Sequence, residues 1–105
     1  MKPFLDLVGA SGAVYRFRKV DAALPPTAGN FVYVREIDGE HRVVCCGKAR
    51  NIGLALMGHP WAEDELAQPE DALYVRLNVG GGARAHEHED LVGSLPRPFA
   101  IYEIE

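Results

Sequence analysis

The chain has little sulfur to build with. Its only two cysteines, Cys45 and Cys46, are adjacent. Neighbours on a strand point to opposite faces and are not easily bridged, so a disulfide scaffold is excluded. No apolar run approaches the roughly 18 residues that a spanning helix needs. The opening Met1-Lys2-Pro3-Phe4-Leu5-Asp6 has an early acid and no apolar h-region, which argues against a signal peptide. These absences predict a reduced, cytoplasmic setting and no membrane partner. Internal repeats and low-complexity tracts are missing as well. So is an excess of positive charge: the net charge is -4.

That total hides an asymmetry. Residues 1–50 carry eight Lys/Arg and five Asp/Glu, net +3, whereas residues 51–105 carry three and ten, net -7. A whole-chain basic footprint for nucleic acid is absent, so any such contact has to come from a local patch in the first half. The plainer reading of the acidic half is a solvated face that aids solubility.

What is present is an ordinary folded composition, with 48% hydrophobic and 25% charged residues among 105. A chain of this length buries about two-thirds of its unfolded surface, enough for one modest core, and one domain over 1–105 is expected. Ala13 to Arg18 alternates and reads as a strand. Val20 to Gly29 is a loop around Pro25-Pro26. Phe31–Ile37 and His41–Cys46 flank Asp38-Gly39 and predict a hairpin. Gly47 is expected to end the second strand. A helix is predicted over Ala49–Met57, although Gly53 inside it costs about 1 kcal/mol relative to Ala. The acidic stretch Trp61–Asp71 reads as a short helix or loop, and Ala72–Val79 as a strand. Gly80-Gly81-Gly82 is a flexible joint that lacks the residues of a phosphate loop. A helix from about Ala83 to Ser94 and a last strand over Phe99–Ile104 follow. The order predicts an α+β fold: a small mixed or antiparallel sheet with two or three helices packed on it.

The hairpin and the helix after it resemble the GIY-YIG nuclease family. Gly29-Asn30-Phe31 stands where that family has Gly-Ile-Tyr. Cys45-Cys46-Gly47 stands for Tyr-Ile-Gly and continues as Lys48-Ala49-Arg50-Asn51, similar to the excision-repair members. Leu91-Val92 and Pro96-Arg97-Pro98 match the later helix and proline segment. Tyr15-Arg16-Phe17 and His59 look like a short bacterial subgroup with an extra leading strand. The resemblance runs from about Val14 to Phe99 and implies a GIY-YIG-like fold. It also implies that the positions of the two tyrosines, the helix Arg and the metal-binding Glu fall on Phe31, Cys45, Gly53 and His88, and that these four converge on one concave face. The terminal Asn falls near Ala100.

Each of those four residues differs from the family's. Phosphodiester hydrolysis needs a base for water, positive charge on the phosphate and a metal clamp. Phe31 cannot exchange a proton and Gly53 supplies no cation. Glu87 and Glu89 flank His88 but are turned about 100° away from its face. Because such groups act as a unit, catalysis by the family mechanism is expected to be lost.

Other residues also carry groups capable of chemistry. His86 and Asp90 stand four apart and can share a metal, but no second pair has matching spacing, and a solvated helix face is the plainer reading. Cys45 or Cys46 beside His88 and Lys48 can form a nucleophile; two small apolar side chains filling a central strand is the plainer reading. His88 lies on the apolar stripe with Ala85 and Leu91 and should face the sheet, with Tyr33 or Cys45 as hydrogen-bond partner. Trp61 reads as a core anchor under the acidic segment. Lys48, Arg50, Arg16, Arg18, Arg35 and Arg42, interleaved with aromatics, are the candidate contacts for nucleic acid.

The function expected from sequence is therefore a GIY-YIG-like binding module, not an enzyme, that takes nucleic acid or a protein partner without a cofactor. Two alternatives stand beside it. One is a divergent metal-dependent phosphodiesterase that uses His88, His59, Arg50 and a divalent metal held by Glu87, His88 or Glu89. The other is a structural subunit whose acidic half docks a basic partner.

Overall fold

The structure is a computed structural model that describes residues 1–104. Two hairpins come first, β1 (Phe4–Val8) with β2 (Val14–Lys19) and β3 (Gly29–Ile37) with β4 (Glu40–Ala49). Helix α1 (Ile52–Gly58), a single 3₁₀ turn at Trp61–Glu63, β5 (Ala72–Leu77), α2 (Gly81–Val92) and β6 (Ala100–Ile104) follow. The six strands form one curled sheet in the order β1-β2-β5-β3-β4-β6. Among the described residues only β4 and β6 run parallel, so the sheet is mixed. No described helix is long and apolar enough to cross a membrane.

The β3–β4 turn is the tight one its Asp-Gly sequence calls for. Asp38 and Gly39 both take positive φ, 53° and 80°, and Ile37 pairs with Glu40 across a two-residue loop. The ladder then gains one extra residue. Tyr33 opposes Cys45 and Val34 opposes Val43, which leaves Val44 as a bulge. Val44 and Cys45 consequently face one side together, while Val43 and Cys46 face the other.

Each side of the sheet has its own core. One is built on Tyr15, Phe17, Val32, Cys46, Tyr74 and Leu91 under α2; the other on Phe31, Cys45, Ile52, Leu56, Trp61 and Val75 under α1. The β1–β2 hairpin meets β5 only at Arg18–Val75 and Lys19–Tyr74, which lets it curl over the α2 side. Asp90 fastens it there, accepting from Ser11 N (2.8 Å), Ser11 Oγ (2.6 Å) and Tyr15 OH (2.7 Å).

Four expectations from sequence are corrected. Strand β1 was not foreseen, because Phe4 and Val8 stand with Asp6 on its outer face and mask the alternation with the inward Leu5 and Leu7. As the edge strand, it leaves Phe4 and Val8 exposed. Gly47 does not end β4, which runs on to Ala49. Helix α1 starts only at Ile52, where the Asn51 side chain caps it by accepting the Leu54 N–H at 3.0 Å. Gly81 and Gly82 form the first turn of α2 rather than a joint, and the buried residues of that helix are Arg84, His88 and Leu91.

Gly47 remains in the strand because Phe31, directly opposite, lays its ring across it; a Cβ there would sit 2.2 Å from Phe31 Cζ. An aromatic ring covering a cross-strand glycine restores the packing the glycine lacks. Gly47→Ala should therefore destabilise the fold by about 1–3 kcal/mol, the usual cost of overpacking. Gly82→Ala, with open space around it, should be neutral or slightly stabilising. Urea denaturation of the two variants reads the difference, and equal midpoints would contradict the packing argument.

Candidate functional site

The residues at the four family positions do not converge. Phe31 and Cys45 are fully buried on the α1 side, and Gly53 is buried in α1 with its N–H donating to Pro25 O at 3.0 Å. His88 is buried on the α2 side. The separation follows from the strand itself: Cys45 and Cys46 point opposite ways, and His88 Nδ1 lies 3.9 Å from the Cys46 sulfur. Its partner is thus Cys46 rather than Tyr33 or Cys45. Its Nε2 lies 3.3 Å from Glu103 Oε1 on β6, outside hydrogen-bond geometry.

The electrostatics keep this group neutral. Burial lowers the His88 pKa, with Lys48 adding in the same direction against Glu103 and Glu89. Burial pushes the Cys46 thiol up to about 12 and the Cys45 thiol higher still, the latter helped by Cys46 and Asp64. A cysteine nucleophile needs a lowered pKa and access, and neither thiol has them. Both fill core positions instead.

The same face holds a buried polar group that sequence reasoning missed. Arg84 Nη1 donates to Asn78 O (3.1 Å) and Val79 O (3.2 Å), just beyond β5. Asn30 Nδ2 donates to Arg84 O, and Asn78 Nδ2 to Asn30 Oδ1. The hydrophobic pattern of α2 gave no sign of an inward-facing arginine.

The metal of the GIY-YIG resemblance finds no matching donor set. A neutral, buried His88 stands in place of the Glu, Glu87 is committed to Arg76 at 2.6 Å, and Glu89 is exposed. His59 follows α1 on the other side of the sheet. Among the described residues no three His, Cys, Asp or Glu side chains are grouped to hold an ion.

Nor do the candidate cations form one patch. Arg35 binds Asp71 with two nitrogens, Arg16 pairs with Asp6, and Arg42 donates to Arg97 O. Lys48 is half-buried opposite Asn30 and Glu103. Arg18 and Arg50 are exposed, on β2 and just beyond β4, with β5 and β3 between those strands. Arg35 and Arg42 lie near the hairpin tip, away from Lys48 and Arg50 at its base.

The most developed site lies instead under the Trp61 turn. The nearly sealed Asp71 carboxylate accepts from Arg35 Nε (2.7 Å) and Nη2 (2.9 Å), Trp61 Nε1 (2.9 Å) and Gln68 N (2.8 Å). Burial alone would raise its pKa; the bonds from Arg35, Gln68 and Trp61 outweigh that and hold it below the ordinary carboxylate value. Trp61 stacks on Tyr33 with centroids 5.1 Å apart and meets Tyr102 edge-on at 6.0 Å. Tyr102 OH donates to Asp64 Oδ2 at 2.9 Å. A cavity of about 530 Å³ opens beside this group, lined by Leu24, Tyr33, Leu56, Trp61, Pro69 and Asp71 among others. The signal for it was faint: one tryptophan opening an acidic stretch, with its anchor ten residues on. No protein-family model, curated protein or solved structure matches the chain.

Two outcomes follow. Asp71→Asn leaves Arg35 half-buried without its counter-charge and should cost about 3 kcal/mol. In the wild type, the contribution of Asp71 should be complete above its ordinary value near 3.8 and disappear as pH falls through the lower native value. Trp61 emission through an acid titration checks this, and an unchanged profile in Asp71→Asn would refute it. For His88, the proton NMR titration should give a pKa below 6.5. Because the unfolded state then binds the proton more readily, stability should fall as pH drops below 6.5, and less so in His88→Gln.

Proposed function

We propose that this chain is a non-catalytic binding domain on a GIY-YIG-like plan, and that it docks a basic protein partner through its acidic half. One observation carries the reading: the residues at the positions of the family's chemistry are packed as core on two sides of the sheet. Phe31 and Cys45 are sealed under α1, and His88 is sealed under α2. No surface remains there on which a phosphate can meet a base and a cation together. The order of hairpin, α1, β5 and α2, with Leu91 and Val92 on the last helix, is the order of the resemblance.

The choice of a protein over nucleic acid rests on charge. Of the six candidate cations, Arg35, Arg16 and Arg42 are engaged by side chains or carbonyls of the chain itself, and Lys48 is half-buried. The second half keeps its surplus of acids. A nucleic-acid reading retains one feature in its favour, a shallow cleft of about 270 Å³ with Phe4, Arg16, Arg18 and Arg76 on its walls.

The test has two parts. Purified protein with magnesium or manganese should leave single- and double-stranded DNA intact; cleavage abolished by His88→Ala would overturn the non-catalytic reading. Single-stranded DNA should bind weakly or not at all at low salt. A steep salt dependence that loses about one unit of slope in Arg50→Gln or Arg18→Gln would restore nucleic acid as the ligand.

A further inference from the structure

We infer that the cavity beneath the Trp61 turn receives one bulky apolar side chain of a basic peptide segment, with the Tyr33 hydroxyl donating to that segment's backbone carbonyl. The inference rests on the proposed docking of a basic partner and names the place where it happens.

Size and lining come first. About 530 Å³ lies within the range of ligand pockets, and the walls include Leu24, Leu56, Pro60 and Pro69 beside the Tyr33–Trp61 stack. The walls are also held in place. The four hydrogen bonds on Asp71 fix Trp61, Gln68 and Arg35, so little ordering remains to be done on binding.

The polar groups then narrow the ligand. The Asp71 oxygens and the Trp61 N–H are already used within the chain. Tyr33 OH has no hydrogen-bond partner among the described residues, and Tyr33 lines the cavity. Burial, with Cys45 adding, pushes its phenol up to about 12, so it stays a donor at neutral pH. A donor set in an apolar wall suits a neutral acceptor such as a peptide carbonyl.

Charge selects the flanks. Residues 59–71 include Glu63, Asp64, Glu65, Glu70 and Asp71 and no Lys or Arg. Glu63, Glu65 and Glu70 are exposed, and Arg35, which reaches Leu66 O on this segment, is neutralised by Asp71. This rim repels phosphates and acidic segments and attracts Lys- and Arg-rich ones. The chemistry of the partner is therefore an apolar anchor between basic flanks.

Trp61 is the only tryptophan in the chain, so its emission reports on the cavity directly. The probe is a set of nine-residue peptides free of tryptophan, with Lys and Arg flanks and a central Leu, Ile, Phe, Met or Pro. Matched peptides carry a central Ala or Glu flanks. At low salt at least one basic apolar peptide should change Trp61 emission saturably. The Ala-centred peptide should bind at least tenfold more weakly, and the Glu-flanked one should not bind. Tyr33→Phe, which keeps the ring stack, should weaken binding about 3- to 10-fold without loss of the native Trp61 spectrum. Glu65→Lys with Glu70→Lys should weaken it further. If basic peptides bind whatever their central residue and leave Trp61 unchanged, the acidic surface still docks a basic partner but the cavity inference falls. If no basic peptide binds the folded protein, both fall. Equal binding of Glu-flanked peptides would overturn the charge argument.

Discussion

A strand buried on both faces has to satisfy two cores at once, and in this structure that constraint falls on β4. Its extra residue, Val44, decides which side each later side chain serves. Without the bulge, the alternation running from Val43 would turn Cys45, Gly47 and Ala49 toward α2 and Cys46 toward α1. With it, Cys45 joins Phe31 and Ile52, and Cys46 is left to face Leu91 and His88. Gly47 is tied to the same choice, because its missing side chain is the space the Phe31 ring occupies. The positions of α1 and α2 on opposite sides then separate residues that are close together in sequence.

Charge is arranged by a second constraint. A buried carboxylate is costly unless fully hydrogen-bonded, and Asp71 meets that condition by recruiting Arg35 from the neighbouring ladder. The pair closes the 60–71 segment onto the sheet and removes a cation from the surface of the first half. The charges that remain exposed on that segment are all acidic. The same hydrogen bonds that stabilise the turn therefore also set the sign of the field around the cavity beside it. Asp90 performs a comparable service on the other side, where three donors from the β1–β2 hairpin hold that hairpin over the α2 core.

Much of the fold was legible because its signals are local. Asp38-Gly39 between two β-rich runs fixes a two-residue turn wherever it occurs. Adjacent Cys45 and Cys46 on a strand had to point apart, and the helical period turned His88 inward. Strand β1 was not legible, because Phe4 and Val8 on its solvent face hide the alternation of its burial, in which only Leu5 and Leu7 turn to the core. Arg84 was missed for another reason: the carbonyls of Asn78 and Val79 that hold it stand only six and five residues before it, but the irregular turn from β5 into α2 that aims them carries no periodic signal. The expected convergence of Phe31, Cys45, Gly53 and His88 assumed that one face carries both helices. The Trp61 cavity depends on contacts among β3, the acidic segment and the Val20–Gly29 loop, and no spacing in the chain encodes those.

The Cys46–His88–Glu103 line shows why geometry alone does not make a reactive site. A sulfur near one imidazole nitrogen and a carboxylate near the other is the arrangement of a nucleophile, its base and an orienting group. Such an arrangement works by separating charge, thiolate from imidazolium, and by presenting the sulfur to a substrate. Here burial disfavours both ions, raising the thiol and lowering the imidazole, so the proton stays on sulfur. The Cys46 side chain is also covered by α2 and has no route to solvent. The same low dielectric that would strengthen an ion pair prevents it from forming, because both ions would lose their hydration and the carboxylate of Glu103, largely in water and screened, offsets little of that cost. The group is therefore most stable as a neutral packing contact, which agrees with a domain whose open, fixed and polar-edged surface lies on the other face, beside Tyr33 and Trp61.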